Sequence, residues 1–346
     1  MEYYSARLIA NLWQNQYDRC MKSKLPNFTL AITGALLLAM PGLAGVDFCN
    51  AQQVSGNLSG SSSGSDISMP GSDLGEAVDG ERLVAAAAKA VHQEPAIKAG
   101  LRYRIWANGQ EVVGSGSYSQ LGEGNEKLLR LEMKSRVGDS LASLLEVCTS
   151  DYYWIRRELP ILGTTLGRVS LRDIRDEIAR RGQSQMTASE PWILLGGLPR
   201  LLERVQRNFA MESATPSQIE FPSSDGKQVQ SLPVWIVGGK FDPEWKPEKI
   251  PTGAQIPDEV ELVLGRVEKV LPLFPYRISY YRKGKGDASG EAPPRTPLMV
   301  LEFYGVSRSS EVDPREFFYN PGDQEVADLT TLYLDQLGLK SLAAPK

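Results

Sequence analysis

"LRYRIWANGQEVVGSGSYSQL", residues 101–121, holds two β-prone runs on either side of Asn108-Gly109. An Asn-Gly pair accepts the positive φ values of a two-residue hairpin turn, so this stretch predicts a β-hairpin. Next in the chain, "KLLRLEMKS" (127–135) sets Leu129, Leu131 and Met133 on one face and Arg130, Glu132 and Lys134 on the other. That period of two is the mark of a strand buried on one side. "LASLLEVCTSDYYWIRREL" (141–159) reads as another strand pair around Ser150-Asp151. Four or five antiparallel strands in succession exclude a βαβ plan and point to one wide sheet.

Outward from this core, "DGERLVAAAAKAVHQEP" (79–95) predicts a first helix, with Asp79 as N-cap and Pro95 just past its end. Downstream, "SLRDIRDEIARRG" (170–182) predicts a helix capped by Ser170, with Leu171, Ile174 and Ile178 at helical spacing. "EPWILLGGLPRLLERVQRNF" (190–209) continues as helix with a kink or break between Gly196 and Pro199. Strands are then expected in "SLPVWIVGGKF" (231–241), "VELVLG" (260–265), "FPYRISYYRKG" (274–284), "TPLMVLEFYGVS" (296–307) and the short "EFFYNP" (316–321). "KGDASGEAPPR" (285–295) reads as an exposed hairpin loop, and "DLTTLYLDQLG" (328–338) as a closing helix. The fold class expected is α+β: an incomplete antiparallel β-barrel, or curved sheet, with helices covering its concave face.

The N-terminal part reads differently. Lys22 and Lys24 precede an apolar core, Leu30 to Met40, then the helix-breaking Pro41-Gly42 and Cys49-Asn50-Ala51. This is the layout of a signal peptide cleaved after residue 51, with residues 1–20 as an upstream extension. The core is shorter than the roughly 20 apolar residues of a membrane span, so an uncleaved anchor is the alternative. Residues 52–78 form a Ser/Gly-rich linker, too poor in apolar side chains to offset their ordering entropy. Residues 79–346 are the folded domain, and a periplasmic or secreted location is expected.

Composition narrows the chemistry. A formal charge of −4 offers no basic surface for nucleic acid. One histidine and three cysteines, two of them within residues 1–51, leave no disulfide framework and no Cys/His metal site. No phosphate-binding glycine loop or HExxH occurs, and "GEGNEK" (122–127) and "RKGKGDASG" (282–290) read as hairpin turns. His92 reads as a helix-end residue and Cys148 as a small core hydrophobe. Asp173, Asp176 and Glu177, beside Arg172, Arg175, Arg180 and Arg181, read as a solvated helix face. Neither catalysis nor a cofactor is expected. Apolar and aromatic strand residues dominate instead, and a curved sheet with few covering helices suits an apolar ligand. The lining expected is Leu129, Leu131, Met133, Val147, Ile155, Ile236, Ile278 and Leu301, although a one-residue slip in register would turn any strand's set outward.

The exported start, the Ala-rich first helix, "SGSYSQLGEGNEKLLRLEMKS" (115–135) and "TPLMVLEFYGVSRSSEVDPREFFYNPGD" (296–323) resemble the outer-membrane lipoprotein-sorting (LolA-like) superfamily. "VDPREFFYNPGDQEV" (312–326) looks like that family's closing strand. The resemblance implies a half-barrel plugged by helices, a cavity for lipid or lipoprotein acyl chains, and no catalysis. Envelope proteins are the other class of partner it implies, and a monomer is expected. The chain departs from the family's pattern in the segment 238–257, in the loop 283–297 and in its long tether. The cargo therefore stays open, and the alternative is a tethered envelope interaction or stress-sensor module without lipid transport.

Overall fold

The computed structural model describes residues 78–339, apart from 108–109, 161, 182–190, 223–228, 243–255, 267–270, 285–294 and 309–311. The expected signal segment and linker thus lie outside the described residues, as do Asn108-Gly109 and most of the loop 285–295.

Asp79 caps helix α1 (Gly80–Gln93), its carboxylate accepting from the Glu81 amide at 3.0 Å. Six strands follow: β1 (Ala96–Ala107), β2 (Gln110–Leu121), β3 (Leu128–Val137), β4 (Ser140–Cys148), β5 (Tyr152–Leu159) and β6 (Gly163–Ser170). Each pairs antiparallel with the next, and β1 meets β2 from Ala96–Leu121 to Ala107–Gln110. Helices α2 (Leu171–Arg181) and α3 (Leu198–Asn208) interrupt. The sheet then resumes with β7 (Phe209–Met211), β8 (Thr215–Pro222), β9 (Val229–Phe241), β10 (Glu259–Gly265), β11 (Pro275–Lys283) and β12 (Arg295–Ser307). β13 (Ala327–Asp328) and α4 (Thr330–Gln336) close the described chain.

The thirteen strands among the described residues form one curved sheet in the order β13-β6-β5-β4-β3-β2-β1-β12-β11-β10-β9-β7, with β8 also on β9. The join between its halves is the antiparallel pairing of β1 with β12, and its two end strands do not pair with each other. It is an incomplete barrel. Buried side chains of the four helices among the described residues belong to the same apolar cluster as the sheet's inner face, so these helices cover one side.

Three local expectations change. "EFFYNP" is not a strand: Pro314–Phe317 forms a 3-10 turn, with the Asp313 carboxylate accepting from the Arg315 amide at 2.9 Å. A capping Asp followed by Pro presets a helical turn, and this outweighs the β-propensity of the two phenylalanines. Residues 191–197 form turns, and helix begins only at Leu198, with Pro199 in its first turn. Glu177 is not solvated; its side chain is buried and ion-paired with Arg180. β6, β7 and β8 carry no clear alternation and appear only as partners of stronger strands.

Candidate functional site: the covered concave face

The inner face can be followed by register. Leu129 pairs with Cys148 and that with Tyr153; Leu131 pairs with Glu146 and that with Ile155; Met133 pairs with Leu144. On the other half, Leu301 lies between Tyr103 and Ile278, and Ile278 beside Leu262. Leu129, Leu131, Met133, Ile155, Ile278 and Leu301 all fall in this one buried cluster. The remaining two expected lining residues do not.

Val147 lies on the opposite face, packed with Ala96, Val312, Phe317 and the rings of Trp154 and Tyr319. Ile236 pairs with Val263, whereas its inward neighbour Val237 pairs with Leu262. In "LLEVC" and "PVWIV" apolar residues occupy consecutive positions, so alternation gives no register there. The outer cluster exists because the Pro314–Phe317 turn folds back under the sheet, and Arg130 donates to the Glu316 carbonyl at 3.0 Å.

The cover is tied to this floor by a buried hydrogen-bond chain. The Leu198 amide donates to the Tyr118 hydroxyl at 3.3 Å, and that hydroxyl donates to Gln120 Oε1 at 3.0 Å. Gln120 Nε2 donates to the carbonyls of Val91 and Glu94 at 3.2 and 2.7 Å. The start of α3, the sheet and the end of α1 thereby share one fully used polar network, which fixes their relative positions. Burial holds the Tyr118 hydroxyl well above the usual phenol range, so it remains a donor. Trp192 stacks on Tyr118 with ring centroids 6.0 Å apart, and α3 buries Leu198, Leu201, Leu202 and Val205. Lys127, itself buried, donates to the His92 carbonyl at 2.8 Å and neutralises the negative end of α1. Burial lowers its pKa, partly offset by Glu123 and Glu94.

Two glycines lead into α3: Gly196 at φ 125° and Gly197 at φ 81°. A Cβ on Gly197 would lie 2.5 Å from the Tyr118 hydroxyl and 3.0 Å from Leu129 Cδ2. This close approach, as well as the left-handed backbone, requires glycine there. At the other end of the face, Leu329 rests on Gly167, and the Tyr333 ring of α4 meets Tyr153 edge-on at 5.8 Å.

Sequence reasoning passed over Tyr118, Gln120 and Glu146. No sequence signal marked Glu146, because the expected register turned Val147 inward and Glu146 outward, and only the strand pairings reverse this.

Reactive chemistry is sparse on this face. Burial pushes the Cys148 thiol up to about 12, which suppresses its thiolate. Among the described residues no group of three His, Cys, Asp or Glu side chains could hold a metal. His92 is exposed in the last turn of α1, and Lys127 uses its backbone carbonyl, not its ring. His92→Ala is therefore expected to change stability by no more than about 0.5 kcal/mol, as read by thermal melts.

No protein-family model matches the sequence, and no curated protein matches it. Solved structures do. A DUF1329 family protein from Desulfovibrio piger is similar at 13% identity and TM-score 0.30, over 69% of this chain and 96% of its own. MucB is similar at 10% identity and TM-score 0.34, over 70% of this chain and 62% of its own. A protein domain from Vibrio parahaemolyticus, assigned to outer membrane lipoprotein sorting, is similar at 9% identity and TM-score 0.28, over 69% and 95%.

Proposed function

We propose that this chain is an exported lipid- or lipoprotein-binding protein of the bacterial cell envelope, holding acyl chains between the curved sheet and its helical cover, without catalysis. The observation that carries this reading is the attachment of the cover. Trp192 and α3 lie over a continuous apolar floor, and the segment enters through two positive-φ glycines and one buried hydroxyl contact. Swinging the segment outward about Gly196 and Gly197 would expose a floor that favours hydrocarbon, each buried methylene contributing about 0.8 kcal/mol. Among the described residues no helix is long and apolar enough to cross a membrane.

A second reading, a tethered interaction or stress-sensor module, is favoured by the closed state itself: Leu129, Leu131, Ile155 and Ile278 are all buried beneath the helices with no ligand needed to fill the face.

Native mass spectrometry of the full chain purified from its own envelope, before and after organic extraction, separates the two. The carrier reading expects an added lipid mass that extraction removes, on a polypeptide starting near Gln52. A chain that never carries lipid, and takes up no fluorescent acyl probe after extraction, would leave the module reading in its place.

A further inference from the structure

Glu146 is the one carboxylate on the inner face of β4, placed between Leu131 and Ile155 by the register. Only 7% of it is exposed. Its carboxyl is hydrogen-bonded to Tyr153, which is buried against Tyr333 of α4. Arg157, two rungs along β5 on the same face, hydrogen-bonds Tyr333 and attracts Glu146, while its Nε has no partner among the described residues. The other groups facing this cluster are Cys148 on β4 and Arg175 on α2, the latter acting on the Cys148 thiol. Glu177, the remaining buried acid of α2, is held by Arg180.

Tyr333 does not act alone. Leu329 rests on Gly167, and Leu337 and Leu339 belong to the main apolar cluster, so residues 329–339 form a second, C-terminal cover over the β4–β6 end of the face. An ionised Glu146 beneath that cover would be a desolvated charge, and Tyr333 of the cover lies close enough to interact with it directly.

We infer that Glu146 is a proton-operated latch: protonated, it holds the cover 329–339 on the sheet, and on losing its proton it releases that cover. The latch belongs to the fold and stands whether or not the concave face holds lipid. Burial pushes the Glu146 carboxyl up to about 7, with Tyr153 and Arg157 pulling the other way without offsetting it. The proton is therefore bound more tightly with the cover docked than with it open. The stabilisation is complete below the ordinary carboxylate range and is lost as pH rises through about 7. The opening equilibrium should rise about tenfold per pH unit between roughly pH 5 and 7, then level off.

Hydrogen exchange of the full chain from pH 5 to 8, corrected for intrinsic rates, tests this with β1 and β2 as internal reference. Protection of residues 329–339 is expected to fall several tens of times more than that of the reference strands. In Glu146→Gln, which cannot ionise, protection should stay near its acid level at every pH. Wild-type pH dependence retained in Glu146→Gln would overturn the latch, as would flat protection in the wild type, the result if Arg157 keeps Glu146 ionised throughout. If Glu146→Gln does not fold, the wild-type profile decides alone: loss confined to 329–339 and 140–159 supports the latch, and loss spread evenly over the sheet rejects it.

Discussion

Phe303→Ala is expected to destabilise the protein by about 3–5 kcal/mol, the range for deleting a fully buried aromatic ring. Phe303 is 0% exposed, and its ring meets Phe274 at 5.7 Å and Tyr118 at 6.3 Å, both edge-on. It stands on β12 directly opposite Leu101 of β1, where the two halves of the sheet join. The cavity would thus open at the joint, beneath the hydroxyl that anchors α3, where the surrounding backbone is paired on both sides and has little room to collapse. Urea melts of the wild type, Phe303→Leu and Phe303→Ala measure it, with leucine intermediate. A loss below about 1 kcal/mol for the alanine variant would mean that the inner face is loosely filled at this point.

The second large effect is expected at the entrance to α3. Gly197→Ala would add left-handed backbone strain of about 1–3 kcal/mol. It would also press a methyl against the Tyr118 hydroxyl and Leu129, where overpacking costs a further 1–3 kcal/mol, roughly. Gly196→Ala is the control, because its φ is also positive but its Cβ would meet nothing within 4 Å. The excess destabilisation of Gly197→Ala over Gly196→Ala isolates the contact between cover and floor. If the cover opens to admit acyl chains, Gly197→Ala should also take up an acyl probe faster, having lost the Leu198–Tyr118 hydrogen bond that holds the segment down. Equal stability of the two variants would show that the Tyr118 contact does not hold the cover.

What the sequence by itself determined is whatever short-range physics governs. The β1–β2 hairpin follows from β-prone runs about an Asn-Gly pair, α1 from its Asp79 cap, and the face of β3 from strict alternation between Leu129 and Lys134. These signals lie within a few residues of the structure they specify, and the alternation of β3 is enough to put Leu129, Leu131 and Met133 on one buried face. Only the tertiary structure decided the rest. Val147 and Ile236 stand in runs apolar on both sides, and which side meets the helices depends on the register of distant partners. β12 beside β1 is a pairing between segments far apart in the chain, which local propensity does not encode. The 3-10 turn at Pro314–Phe317 packs under the outer face, giving Val147 a second core that no periodicity announces. Gln120 and Glu146 face inward because the carbonyls of α1, in one case, and Tyr153 with Arg157, in the other, satisfy them only once the chain is folded. A buried polar group is tolerated for its partners, and its partners are a property of the fold.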